Sequence, residues 1–230
     1  MINLFYLDYE YIIFAFAGLA LAMLASAGVK SAFAKYSSVF NPRGITGKQA
    51  AEMVLRDNGV YGVTIERVAG SLTDHYDPRD NVIRLSETVY DSTSIAAIGV
   101  AAHEAGHAVQ YASNYIPIKI RAKILPITNF GSRLSIPLIF LGYFLSVLEL
   151  VYIGIALFAF VVLFTLVTLP VEFNASRRAV AAISQLNILD DGELKGVKKV
   201  LSAAAMTYVA SFIQNLLILI YYVVQTRRRR

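Results

Sequence analysis

The stretch GVAAHEAGHAVQ, residues 99–110, places His103, Glu104 and His107 within five residues. On a helix, positions i and i+4 share a face, so the two imidazoles can offer ring nitrogens to one metal ion at about 2.0 to 2.1 Å. Glu104 then lies on an adjacent face, beside the metal rather than on it. There its carboxylate can take a proton from water whose pKa zinc lowers toward ~7. Val100, Ala101, Ala102, Ala105, Gly106, Ala108 and Val109 are uncharged and mostly small. They permit close packing and offer the ion no competing charge. Two histidines and a glutamate in so apolar a helix are costly to bury unless they are paired or bind metal. Two imidazoles do not make a complete zinc site, and the chain has three histidines and no cysteine. Apart from His75, any third protein ligand must be a carboxylate. The lack of cysteine also excludes disulfides, a cysteine zinc site and a thiol nucleophile, and no nucleophile elbow, P-loop or dinucleotide fingerprint is present.

The elements that must position these groups belong to a membrane protein. Over 230 residues, 57% are hydrophobic and the mean hydropathy is +0.56, high for a soluble chain. Residues 11–29 are uncharged and about long enough to cross a hydrocarbon layer of ~30 Å. With Asp8 and Glu10 before them, they read as a retained anchor rather than a signal peptide, which begins basic. From Leu134 to Val171 the chain is apolar apart from Glu149, which fits a helical hairpin turning near Glu149 to Gly154. A charge at the bilayer centre costs roughly 2.5 to 3.5 kcal/mol, so Glu149 belongs at the turn. Lys30, Lys35, Arg43, Lys48, Lys119, Arg121, Lys123 and Arg133 all fall between the anchor and the hairpin. The positive-inside rule makes this loop cytoplasmic and returns Arg177 and Arg178 to the same side. Residues 203–224 are also apolar enough to span, yet spanning carries Arg227–Arg230 outward. The alternative is a helix lying at the interface, its arginines at headgroups.

Within the loop, Thr46 and Gln49 have capping-box spacing before a helix that ends near Asp57, with a stop at Gly59. Residues 63–69 and 81–86 read as two strands joined by a long turn, GSLTDHYDPRD. Thr93 or Ser94 caps the histidine helix. Downstream carboxylates are Glu149, Glu172, Asp190, Asp191 and Glu193. Glu149 is expected at the far face of the membrane. Glu172 follows Pro170, where the hairpin re-enters the cytoplasm, and a helix starting there presents Glu172 and Ser176 together. Asp190 or Asp191 reads as a helix N-cap. His75 and Tyr76 are candidates to stabilise an oxyanion, as turn residues close to the strands.

Taken together, AAHEAGHAVQ, EFNASRRA, DHYDPRDNVIRLS and GVKKVLSAAAMTYVA resemble the YugP-like family of membrane zinc metallopeptidases across nearly the whole chain. The chain is more distantly similar to the HtpX and CAAX-prenyl endopeptidases. The resemblance implies a mainly α membrane protein whose zincin-like, gluzincin-type α+β catalytic domain carries a small β hairpin. It implies Zn2+ held by His103, His107 and Glu172, with Glu104 as general base, in an endopeptidase that hydrolyses peptide bonds through a zinc-activated water. The relatives carry an aspartate where this chain has Ser176, which can support a histidine without charge. A site-2-type protease, with Asp190 or Asp191 as third ligand, is an alternative; so is a non-catalytic membrane scaffold in which zinc is structural, with four protein ligands, or absent.

The expected organisation is an N-terminal anchor (1–29), a cytoplasmic zincin-like region (30–133) and a transmembrane hairpin (134–171). A third-ligand helix and cytoplasmic segment (172–202) and an apolar C-terminal helix with a basic tail (203–230) complete it. The partners expected are a peptide or protein substrate and the bilayer of a bacterial inner membrane, with the site facing the cytoplasm. Nucleic acid is not expected, because no basic face or stacking aromatics accompany the terminal arginines.

Overall fold

Local capping chemistry sets where the helices begin and end. The computed structural model describes residues 9–228; residues 1–8 of the expected anchor, with Asp8, and Arg229 and Arg230 of the tail lie outside the described residues. Ten elements follow in order: α1 (Tyr9–Ser37), α2 (Gly47–Asp57), β1 (Thr64–Val68), β2 (His75–Asp77), β3 (Val82–Ser86), α3 (Glu87–Tyr90), α4 (Ile95–Ala112), α5 (Ile116–Leu145), α6 (Leu148–Gln185) and α7 (Asp191–Arg228). The protein is thus mainly helical with a small sheet. Thr46 and Gln49 close the expected capping box at 2.9 and 3.2 Å. Ser94, not Thr93, caps α4 by accepting from the Ala97 amide.

Helices α4, α5 and α6 end alike. A residue with positive φ follows each: Asn114, Ser146 and Asn187. The next amide reaches back five residues, Tyr115 to Gln110, Val147 to Gly142 and Ile188 to Ile183. This is the Schellman arrangement, which satisfies carbonyls that a helix end leaves unpaired.

Two compact units make up the chain. One comprises Ser26–Ile118 and Pro170–Met206. Its core joins Ala50, Ala51 and Val54 of α2 to Ala97, Ile98 and Ala101 of α4, with Ile83 and Leu85 of β3 and Val197 of α7. The sheet order is β1-β3-β2. Central β3 is largely buried, whereas β1 and β2 form the outer strands.

The sheet corrects the expectation of a hairpin between residues 63–69 and 81–86. Those two strands are parallel neighbours, Thr64 opposite Val82 and Val68 opposite Ser86. The hairpin is instead β2 with β3, and β2 lies inside the stretch read as a turn. A parallel pair needs a connection of about a dozen residues to bring the chain back. The segment 69–81 is long enough, and it adds a strand on its way. Asp77, whose carboxyl the Arg79 guanidinium and amide hold down to about 2, begins the turn into β3.

The other unit comprises Lys119–Leu169 with the described residues up to Ala25 and from Thr207 onward. The α5–α6 turn falls at Ser146 and Val147, earlier than the expected Glu149 to Gly154, and Glu149 occupies the exposed first turn of α6. The signal for that turn is the left-handed Ser146, a residue type with no strong preference for it. Gly154 lets α5 and α6 approach: a Cβ there would stand 2.7 Å from the Ser135 carbonyl oxygen. Helices α1 and α7 run antiparallel here. Glu10 meets Arg228 at 2.8 Å, Tyr11 packs on Tyr221 and Tyr222, and Gly18 faces Gln214.

Four helices, α1, α5, α6 and α7, are long and apolar enough to cross a membrane. Large apolar side chains such as Phe16, Leu24, Phe140 and Phe144 are exposed on them, an outer surface suited to lipid. Helix α6 corrects a second expectation, because it runs without a break through Pro170. No new helix starts before Glu172; the residue rides on the continuation of an apolar helix. Proline is tolerated inside such helices where neighbouring groups satisfy the freed carbonyls.

Candidate metal centre

Helix α4 meets α6 at Gly106, and this close approach sets the distance between the two halves of the site. At Gly106 a Cβ would stand 2.8 Å from the carbonyl oxygen of Ala175, so only glycine lets the backbones come this close. The same crossing turns His103 and His107 toward Glu172. The carboxylate Oε2 lies 3.3 Å from His103 Nε2 and 3.5 Å from His107 Nε2. All three side chains are largely buried, Glu172 with 3% of its side chain exposed.

Both carboxylate–imidazole separations fit an edge of a tetrahedron around one ion. Bonds of about 2.0 to 2.1 Å to zinc set neighbouring ligand atoms roughly 3.3 to 3.4 Å apart. The donor set points the same way, since one carboxylate oxygen facing two ring nitrogens needs a positive charge between them, either a proton or a metal ion. In the metal-free protein His107 answers with a raised pKa. Burial acts to lower it, but the hydrogen bond to Glu172 and the charges of Glu104 and Glu172 outweigh burial.

Each histidine has an outer partner. His103 Nδ1 is 3.1 Å from Ser176 Oγ, the residue expected to replace a carboxylate. His107 Nδ1 is 3.0 Å from Gln110 Oε1. Gln110 is fully buried, and its Nε2 donates to the Val171 carbonyl at 2.8 Å and to Asn174 Oδ1 at 3.0 Å. Arg178 Nε donates to the same Asn174 oxygen at 2.9 Å. Gln110 and Asn174 were not singled out from the sequence, although a glutamine three residues after His107 in an otherwise apolar helix is itself the signal.

Glu104 is held from the sheet. The Tyr76 amide donates to its Oε2 at 3.0 Å. Because Tyr76 is carried by the outer strand β2, this amide points away from β3. Asp74, just before β2, anchors the strand by accepting from the Ser86 amide at 2.7 Å and the Ser86 hydroxyl at 3.0 Å. The Tyr76 ring stacks at a tilt against Tyr111, one helical turn past His107.

Other candidates are placed elsewhere. His75 is exposed, with Nδ1 on the Thr73 carbonyl, and is not brought into the group of His103, His107 and Glu172. Asp190 closes a capping box with Glu193 at the start of α7, at 2.7 and 2.9 Å, which is the N-cap expected there. Arg177 is exposed.

A family model described as "Putative neutral zinc metallopeptidase" matches residues 11–227. The chain is also 48% identical, over 214 residues, to a Bacillus subtilis (strain 168) protein described as "Putative membrane protease YugP"; the match covers 93% of this chain and 95% of that protein. No solved structure matches the chain.

Proposed function

Because the chain belongs to this neutral zinc metallopeptidase family, we propose that it is a membrane-anchored, zinc-dependent endopeptidase with a zincin-like centre. His103, His107 and Glu172 are the metal ligands in this reading. Zinc, when bound, supplies a Lewis acid that acidifies water and polarises a peptide carbonyl. Glu104 is the general base. The Tyr76 amide fixes its Oε2, which leaves Oε1 to take a proton from the attacking water and return it to the amine of the leaving half. No covalent acyl intermediate is needed, since water is the nucleophile. The outer edge of β2 is where an extended peptide would add as a strand. His75, on that same strand, is the candidate to steady the oxyanion.

One observation carries the reading: a carboxylate oxygen of one helix lies 3.3 and 3.5 Å from two ring nitrogens of another more than sixty residues away in sequence, separations that suit ligands of one zinc ion. The separation of roles also favours an enzyme over a structural zinc site, for which Glu104 would be superfluous. Sidedness follows from the helix order. If α1, α5, α6 and α7 each cross, the start of α1, the Ser146 turn and the end of α7 share one face. The ion pair of Glu10 with Arg228 supports this shared face. The many basic residues between α1 and α5 then make the opposite, site-bearing face cytoplasmic, with the terminal arginines as an exception to the rule. Zinc content per chain of the detergent-purified protein tests the reading. About one zinc is expected in the wild type and a large loss in Glu172→Ala that remains folded. Full zinc in that variant would remove Glu172 from the ligand set.

A further inference from the structure

The outer partners of the two histidines differ in kind. Ser176 presents a hydroxyl to His103 Nδ1, and a hydroxyl can donate or accept, so it leaves the ring tautomer open. Gln110 can do either as well, through its two different ends, but its surroundings permit one orientation only. The Val171 carbonyl is an acceptor without exception, so the Gln110 atom 2.8 Å from it must be the nitrogen. Asn174 gives the same answer independently. Its Oδ1 faces Arg178 Nε, which always donates, so this atom must be the oxygen, and the Gln110 group sharing it must again donate.

With both polar contacts of Nε2 directed at acceptors, the amide oxygen is what remains for His107. An amide oxygen only accepts. His107 must therefore carry a hydrogen on Nδ1, which leaves Nε2 as the nitrogen that faces Glu172. On the basis of the zinc reading above, we infer that Arg178, Asn174 and Gln110 form a hydrogen-bond chain, converging on Asn174 Oδ1, that keeps a hydrogen on His107 Nδ1 and so reserves Nε2 for the metal. They are positioning residues, none of which touches metal or substrate. His107 is the preorganised ligand, and His103, on its hydroxyl, takes its metal-binding tautomer only when metal binds.

The test uses the full-length chain in detergent, with 15N-labelled histidine, in the metal-free form. Only three histidines need assigning. The spectrum reads the His107 tautomer, and competition with a chromophoric chelator reads zinc affinity. The wild type should show His107 protonated at Nδ1. Gln110→Leu and Asn174→Leu should lose that preference and bind zinc roughly 10- to 100-fold more weakly, the usual effect of removing such a partner. Asn174→Asp offers acceptor oxygens in the same place and should keep the tautomer, with affinity within about threefold of wild type. If Gln110→Leu does not fold, the two Asn174 variants decide the matter.

Wild-type His107 with no hydrogen on Nδ1, or Asn174→Leu leaving that hydrogen and the affinity unchanged, would overturn the chain. So would Asn174→Asp losing as much as Asn174→Leu. A wild type that binds no zinc while showing the Nδ1 tautomer, lost in Asn174→Leu, would leave the chain standing and defeat the metallopeptidase reading instead.

Discussion

Gly106→Ala places one methyl group between the two helices that build the site, and its consequence can be worked from distances. The new Cβ would lie 2.8 Å from the Ala175 carbonyl oxygen and 3.4 Å from the Ala175 Cα. Ordinary contact begins near 3.4 Å, so the carbonyl must recede by about 0.6 Å. It belongs to backbone, and no side chain can rotate out of the way. Glu172 stands less than one turn earlier on α6, and the histidines flank Gly106 on α4, so the displacement acts on the ligand spacing itself. Metal sites hold their distances to about 0.2 Å, well below the shift required. Overpacking of this kind costs about 1 to 3 kcal/mol. If the metal-free form relaxes by widening the site and zinc must close it again, that strain weakens binding about 5- to 150-fold. The control is Gly131→Ala, where a Cβ would stand 2.8 Å from the Leu157 carbonyl oxygen, an equal clash remote from the ligands. Both variants should melt at lower temperature than the wild type, and only Gly106→Ala should lose zinc in chelator competition. Wild-type zinc affinity in Gly106→Ala, or an equal loss in Gly131→Ala, would show that this crossing does not set the ligand spacing.

Glu104→Gln should retain zinc and lose peptide hydrolysis by roughly 100- to 10,000-fold, the range for removing a general base; loss of zinc along with activity would make Glu104 a ligand instead. Asp74 has a raised pKa, chiefly through burial, with the Ser86 hydrogen bonds opposing and the Glu104 charge adding to it. A carboxyl raised in the folded state stabilises most below its ordinary 3.8, and that contribution fades as pH rises through the raised value. In melts of chelator-treated protein, the advantage of wild type over Asp74→Asn should therefore shrink as pH rises through that window and then stay level. An advantage that grew with pH would contradict the assignment. Because the chain lacks cysteine, single cysteines report sidedness cleanly: one after Arg230 and one at Ser146 should label from the same face, and one at Lys195 from the other. Labelling of Ser146 and the C-terminus from opposite faces would mean that α7 does not cross with α1.

What the sequence discloses about the fold is what short-range chemistry controls. Thr46 and Gln49, Ser94, and Asp190 with Glu193 form caps that depend on residues three apart, so spacing alone reveals them. Asn114 and Asn187 tolerate positive φ and end helices as expected of asparagine, whereas Ser146 does the same without the composition that would announce it. The direction of β3 beside β1 is a longer-range matter. Val82, Ile83 and Leu85 read as a buried strand in either orientation, and the choice depends on how 69–81 travels, which alternation does not encode. Pro170 misleads for a related reason: a proline removes one hydrogen bond, and inside a long apolar helix neighbouring groups can satisfy the carbonyl it frees.

The site divides along the same line. His103, Glu104 and His107 declare themselves because one helical turn fixes their relation, and Glu172 was reachable because few carboxylates compete for the role. The orientation of the histidine rings was not reachable. It depends on Gln110 meeting a carbonyl and an amide sixty residues away, contacts that exist only once Gly106 has brought α4 onto α6. A glutamine has no direction of its own in a sequence, since either end of its amide can face the histidine. Arg178 and the Val171 carbonyl give it one, because one of them can only donate and the other only accept. The identities of the proposed ligands are thus legible in residue types and spacing, while the orientation of the rings is a property of the helix crossing.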